Sequence, residues 1–286
     1  MESKRHGVRH LRGVIFWVLC AAALAIIVAP SATIIISVIA QAAPVLRTSL
    51  LTSTTVNGQL GLQNAITGTL VLSLGVLVIA GPIGILSGVY IAEFAPKRFG
   101  GTLRFFSEVL AGVPSIVIGY VGYVLLVVGF HWGFSLLAGI LALSVLIIPY
   151  IVKITEVSFA QVPRSLREAA TALGLTRLTT IRKVLLPPAL PGIVSGLVLA
   201  LAISTGETAP LLFTAGFSDS NPGSLFHNGV GYLTYVTYTD VSLPTASAQA
   251  LASASAAVTI LLILFLILGG RLITARSRRM VARLDV

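Results

Sequence analysis

Long apolar runs alternate along this chain with short polar stretches or stretches broken by glycine and proline. The runs cover residues 14–40, 65–91, 106–130, 134–154, 191–213 and 249–268. A helix that crosses a bilayer needs roughly 20 mostly apolar residues, so the pattern predicts six transmembrane helices and an all-α, polytopic membrane protein. Pro30 predicts a kink in the first run, and Pro96, Gly100 and Gly101 predict a break after the second. The stretch 41–64 is rich in Thr, Ser, Asn and Gln and reads as a loop. So does 214–248, which has no Lys or Arg but carries Phe217, Phe226, Tyr232, Tyr235 and Tyr238. Those aromatics fit either an interfacial belt or a docking surface for a solute-binding protein.

Composition sharpens this picture. Of 286 residues, 56% are hydrophobic and 10% charged, against about 25% charged in soluble domains, which excludes a soluble globular protein. The net charge of +10 is no sign of nucleic-acid binding, because the basic residues sit in short clusters between apolar runs and not on one soluble face. If the six runs are six spans, 18 of the 19 Lys and Arg fall on one side of the membrane and only Arg47 on the other. That side is predicted to be cytoplasmic. The resulting layout is a cytoplasmic tail over 1–13, one six-helix domain over 14–270 and a basic cytoplasmic tail over 271–286. A basic start followed by an apolar run also suits a signal peptide, and Ala40-Gln41-Ala42 resembles a cleavage site. The run is nevertheless much longer than the roughly 7–15 residues of a signal core, so a retained first helix is expected.

Candidate chemistry is sparse. Cys20 is the sole cysteine and lies inside the first run, which excludes a disulfide framework and a cysteine metal site. His6, His10, His131 and His227 fall in tails and loops, so no catalytic dyad and no metal site is expected, and no enzyme. The polar exception is 162–191, VPRSLREAATALGLTRLTTIRKVLLPPALP. Pro163 suits a helix start. Ser165 and Glu168 have the spacing of a capping box. Gly174 is placed to end the helix in the left-handed region. A second helical segment from Thr176 to Leu185 is predicted to stop at Pro187, Pro188 and Pro191. Basic residues would favour resting on anionic headgroups, whereas Ala169, Ala170, Ala172 and Gly174 suit close docking into a protein groove.

Glu168-Ala169-Ala170, then Gly174, Val184 and Leu186-Pro187 resemble, in spacing and position, the EAA loop of the permease subunits of ABC importers. The resemblance implies a type I importer fold with a coupling helix at 163–186, where Ser165, Glu168, Ala169, Ala170, Gly174, Leu186 and Pro187 meet a partner ATPase. The chain itself has no phosphate-binding G-x-x-x-x-G-K-[ST] loop, so ATP and magnesium would be bound by that partner and no cofactor by this chain. Leu110–Gly119 (LAGVPSIVIG) and Gly206–Thr214 (GETAPLLFT) are similar to the A-type permease of phosphate-specific (Pst) transport systems. That similarity implies phosphate import by alternating access in a bacterial cell membrane. It also implies a heterodimer with a second permease, two ATPase copies and an extracytoplasmic phosphate-binding protein.

Glu207 is the one acid well inside a predicted span, and an acid there is a functional candidate or a structural hydrogen-bonding group. Ser115, Ser204, Thr205 and Thr208 are candidate neutral donors along a path, with Gly112, Gly119 and Gly206 allowing close backbone approach. Permeases of this type often carry Arg just before the GET motif, where this chain reads Ile203-Ser204-Thr205. An anion would therefore rely on helix N-termini, backbone N–H groups or a cation of another subunit, to which Glu207 would pair. Glu93 and Glu108 are expected to pair with Lys97 or Arg104. Other cargoes of the same architecture are molybdate, sulfate or phosphonate. A stand-alone secondary transporter would need ion-coupling acids or repeated broken helices, and neither pattern is present.

Overall fold

The computed structural model describes residues 2–55 and 61–282, and every regular element among them is helical. Arg283, assigned to the basic C-terminal tail, lies outside the described residues. Helix α1 (Glu2–Ala42) runs through Pro30 without interruption. Its large apolar residues are exposed from Val14 to Ile36, and it packs into the body near its end. There Val38 and Ala42 join a cluster with Leu251 and Ala254, and Ser253 Oγ donates to Gln41 Oε1 at 3.3 Å. The predicted loop after it contains the short helix α2 (Thr48–Thr52).

The centre of the protein is the pair α3 (Gln63–Val89) and α6 (Leu136–Ala160). Leu72, Val76 and Ala80 of α3 share one buried cluster with Ile140, Leu143, Ile147 and Ile151 of α6. Lipid does not drive apolar helices together, so close packing has to hold the pair, and small residues permit it. A Cβ at Gly88 would lie 2.6 Å from the Cβ of Thr155 and 2.8 Å from the carbonyl oxygen of Val152. Helix α3 ends in a π turn, Tyr90–Phe94.

The predicted third span is not one straight helix. Helix α4 (Lys97–Ala111), which carries Arg104 and Glu108, stops at Gly112, and α5 (Ser115–Gly122) with the π turn Tyr123–Gly129 leaves at 93° to it. Pro114 explains the break, because its ring removes a backbone donor and disfavours helix at the residue before it. Among the described residues five helices are long and apolar enough to cross a membrane, and the bent pair makes a sixth crossing if its limbs count as one span.

The prolines after 185 do not end a helix, contrary to expectation. Helices α7 (Arg164–Ala172) and α8 (Arg177–Thr179) are followed by a π turn, Thr180–Leu185, that runs directly into α9 (Leu186–Gly206). Pro187 and Pro188 occupy the first turn of α9, where a missing N–H has the least cost. The predicted fifth span is instead broken further on, at Glu207-Thr208, before the short α10 (Ala209–Thr214).

The segment 215–245 folds back over the body and includes α11 (Leu233–Asp240), ahead of the last helix, α12 (Ala246–Ala282). Polar residues within the spans fasten it. Asn64 donates to the Ser218 carbonyl at 2.9 Å, the Leu233 amide donates to Thr69 at 2.9 Å, and Ser255 donates to the Leu233 carbonyl at 2.7 Å. This corrects the belt reading for two of the three tyrosines. Tyr232 is buried and Tyr235 stacks on Phe217 at 4.2 Å, while Tyr238 is exposed. Burial raises the Asp240 carboxyl above the usual carboxylate range, against an opposing hydrogen bond from Thr239.

Gly88→Val should therefore lower stability by about 1–3 kcal/mol. Gly101→Ala, whose added Cβ meets nothing within 4 Å, should not lower it. Thermal unfolding of the detergent-purified protein separates the two outcomes.

Candidate functional site

The polar stretch builds a compact, outward-facing helical hairpin. Pro163 is the N-cap of α7, and no side chain caps that end, so the Ser165–Glu168 capping box does not form. With Arg164 already helical, Ser165 sits two residues past the N-cap, inside the first turn, where it cannot act as N-cap. At the other end the expected cap is present. Gly174 has φ +65°, its amide donates to Thr171 O at 3.0 Å, and the Leu175 amide donates to Ala170 O at 3.1 Å. These are the two bonds of a Schellman motif. Thr176 then caps α8 by accepting from the Thr179 amide.

Ser165, Glu168, Ala169, Ala172 and Gly174 are exposed together, while Ala170 is buried and seats the helix on its own chain. Leu186 and Pro187 lie in the first turn of α9, half-buried and exposed. Sequence reasoning missed the apolar part of this surface. Leu173 is 76% exposed and Leu178 54%, on otherwise polar elements. Leucines placed beside a helix-ending glycine were the available signal. Beneath the hairpin, Phe159, Val162, Ile181, Leu185 and Ala189 form a buried cluster that anchors it.

A second region lies where the two helix breaks meet. Gly119 of α5 packs on α10 so closely that a Cβ would stand 2.7 Å from Pro210 Cα. Across this contact Ser115, the first residue of α5, neighbours the Glu207 side chain, which is half-buried. Glu207 is thus not within a regular span but in extended backbone (φ −73°, ψ 136°) at the end of α9. Thr208 follows it without capping α10, and Gly206 is exposed.

Next to Glu207 is a narrow cleft of about 10 Å³ lined by Thr69, Ser73, Ser204, Thr205, Tyr232 and Thr234. Most of its hydroxyl protons are committed. Ser204 and Thr205 both donate to Leu201 O, at 2.9 and 2.8 Å, and Thr234 donates to Glu207 O at 2.9 Å. Ser204 and Thr205, candidate neutral donors, here bond back to their own helix, as serine and threonine within helices readily do. Thr205 also meets Ser73 at 3.0 Å. The Tyr232 hydroxyl is buried in the cleft wall with no hydrogen-bond partner.

The charged groups also pair differently from expectation. Lys153 donates to Glu108 at 3.0 Å, and Arg104 pairs with Glu156. The four charges line a cavity of about 200 Å³ between α4 and α6, with Ser107 and Tyr150. Glu93 pairs with Arg167 and not with Lys97. Glu93, near the end of α3, and Arg167, on α7, are 74 positions apart, so only the fold brings them together.

Residues 80–282 match the family described as binding-protein-dependent transport system inner membrane component. The chain is 48% identical over 283 residues to "Phosphate transport system permease protein PstA 2" of Mycobacterium bovis, covering 98% of this chain and 94% of that protein. It is 38% identical over 184 residues to "Phosphate transport system permease protein PstA 1" of Mycobacterium tuberculosis, covering 64% of this chain and 60% of that protein. Among solved structures, a chain of the MetNI methionine ABC transporter in inward-facing conformation is similar with a TM-score of 0.58 at 23% identity. That match covers 76% of this chain and 94% of the other. The fold is that of a type I ABC importer permease.

Gly174→Val should open the hairpin turn, because a side chain in the left-handed region costs about 1–2 kcal/mol, while Gly174→Asn should be milder. A Cβ there meets nothing within 4 Å, so any effect is conformational and not steric. Amide exchange at residues 174 and 175 reads it directly.

Proposed function

This chain belongs to the family of binding-protein-dependent transport system inner membrane components, and we propose that it is the A-type permease subunit of an ATP-driven importer of inorganic phosphate. The observation that carries the cargo is the 48% identity to a phosphate transport permease over nearly the whole of both chains. The chain is a multi-pass inner membrane component of a bacterial transport system. We place both termini and the hairpin 163–186 in the cytoplasm, on the segregation of 18 of 19 basic residues.

In this reading the exposed face of α7, with Ser165, Glu168, Ala169 and Gly174, docks into a groove of an ATPase subunit. Leu173 and Leu178 supply the apolar contact, which suits helix-in-groove recognition. The partner binds ATP and magnesium and hydrolyses the nucleotide, while this subunit performs no catalysis. Closure of two ATPase copies rocks this permease and a second, similar one, and an extracytoplasmic phosphate-binding protein delivers cargo.

Phosphate passes near the paired helix breaks at 112–114 and 207–208. Broken helices expose backbone N–H groups to a path where continuous helices cannot. Because Ser204 and Thr205 donate to the Leu201 carbonyl, we assign direct recognition to the first-turn amides of α5 and to a cation of the second permease. Glu207 holds that cation in place and does not meet the anion itself, since two negative charges in a site of low dielectric repel.

Vesicles holding the chain with its second permease, ATPase and binding protein should accumulate radiolabelled phosphate when ATP is inside. Excess unlabelled phosphate should abolish uptake, and sulfate or molybdate should not. Competition by either of those anions at equal concentration would reassign the cargo. In the same vesicles Glu207→Gln should reduce uptake about 10- to 100-fold, the loss expected when a charge partner worth some 1.4–3 kcal/mol is removed. Unaltered uptake would make Glu207 a structural residue.

A further inference from the structure

Arg167 and Arg177, neither part of the outward face of the hairpin, reach back from it to the same point of the membrane body. Arg167 Nη1 lies 2.6 and 2.7 Å from the two carboxylate oxygens of Glu93, in the π turn that ends α3. Its Nη2 donates to the Phe159 carbonyl at 2.8 Å, in the last turn of α6. Arg177 donates to the backbone carbonyl of Glu93, and its guanidinium lies 4.7 Å over the Phe94 ring. One guanidinium thus joins α7 to the ends of two spans, and a second joins the following segment to one of them.

We propose that the Arg167–Glu93 pair is the joint through which displacement of the hairpin is passed into α3 and α6. The proposal rests on the hairpin being the ATPase contact. The geometry favours a joint over an incidental surface pair for three reasons. The Glu93 side chain is 10% exposed and that of Arg167 31%, so solvent screens this pair far less than a surface pair. A planar guanidinium fixes the angle between its partners, which a flexible ammonium does not. And α7 has little else to hold it, because Ala170 is its only buried residue and a turn flanks it at each end.

The joint also ends where motion can spread. Helices α3 and α6 interlock through Gly84 and Gly88, so a push at their ends moves the pair as one body. The π turn carrying Glu93 is a place where a helix changes pitch without breaking. Arg167 and Glu93 act here as positioning residues, and neither needs to touch cargo or nucleotide.

The test uses the full complex in vesicles and reads phosphate taken up per ATP hydrolysed, alongside co-purification of the ATPase. Arg167→Lys keeps the charge and loses the planar fork, and Glu93→Gln keeps the shape and loses the charge. Each should lower uptake per ATP by about 3- to 30-fold, the range over which residues between two sites alter their coupling. The double exchange Arg167→Glu with Glu93→Arg should recover part of what Arg167→Glu alone loses. Complexes that assemble with an unchanged ratio would overturn the joint, as would loss of assembly in both single variants, which would make the pair a structural staple. If the ATPase does not co-purify with the unaltered chain, it is the reading of the hairpin as ATPase contact that fails.

Discussion

In an apolar surrounding every backbone N–H and C=O has to find its partner within the protein, and this requirement shapes the chain more than any side-chain contact does. It forces long unbroken helices, and it makes each departure from them costly. The departures are therefore few and supported: π turns at the ends of α3 and α5, a π turn before the proline-rich start of α9, and two breaks packed against each other. Regions where a side chain replaces a missing backbone bond coincide with those holding the polar chemistry. Thr234 with the Glu207 carbonyl at the breaks is one case, and Thr69 with the Leu233 amide is another.

Much of this was readable beforehand. Apolar runs of about 20 residues announce spans because length is a physical requirement, and Gly174 announces a left-handed turn because few other residues tolerate one. Proline was harder. A proline such as Pro114 breaks a helix when its neighbours adopt extended backbone, whereas Pro187 and Pro188 continue one because they fall in its first turn. Sequence reveals the residue but not its place relative to the first turn, so the third and fifth spans were drawn straight where they are bent or divided. The capping box failed for a similar reason, since a helix that starts two residues earlier removes Ser165 from the capping position.

The site was less readable than the fold. Residue types at 204, 205 and 207 were identifiable as polar groups in an apolar run, but where the hydroxyls donate depends on which carbonyl lies three or four residues back and which helix crosses above. Charge partners were beyond reach altogether. Glu93 with Arg167 and Glu108 with Lys153 join positions 74 and 45 residues apart, and local spacing favoured nearer cations. An apolar protein with few charges cannot leave many of them unpaired in low dielectric, and here each buried or half-buried acid near the hairpin side finds a base on another helix.

Helix α1 is bound by different rules. From Val14 to Ile36 its large apolar side chains are exposed, whereas Val38, Gln41 and Ala42 near its end are fitted to neighbours. A surface that must satisfy only a fluid of hydrocarbon tails is selected for oiliness and length, not for shape. Its letters are therefore interchangeable among Ile, Leu, Val and Phe in a way that those of α3 and α6 are not. Over many generations such a segment can drift in spelling while its meaning stays constant.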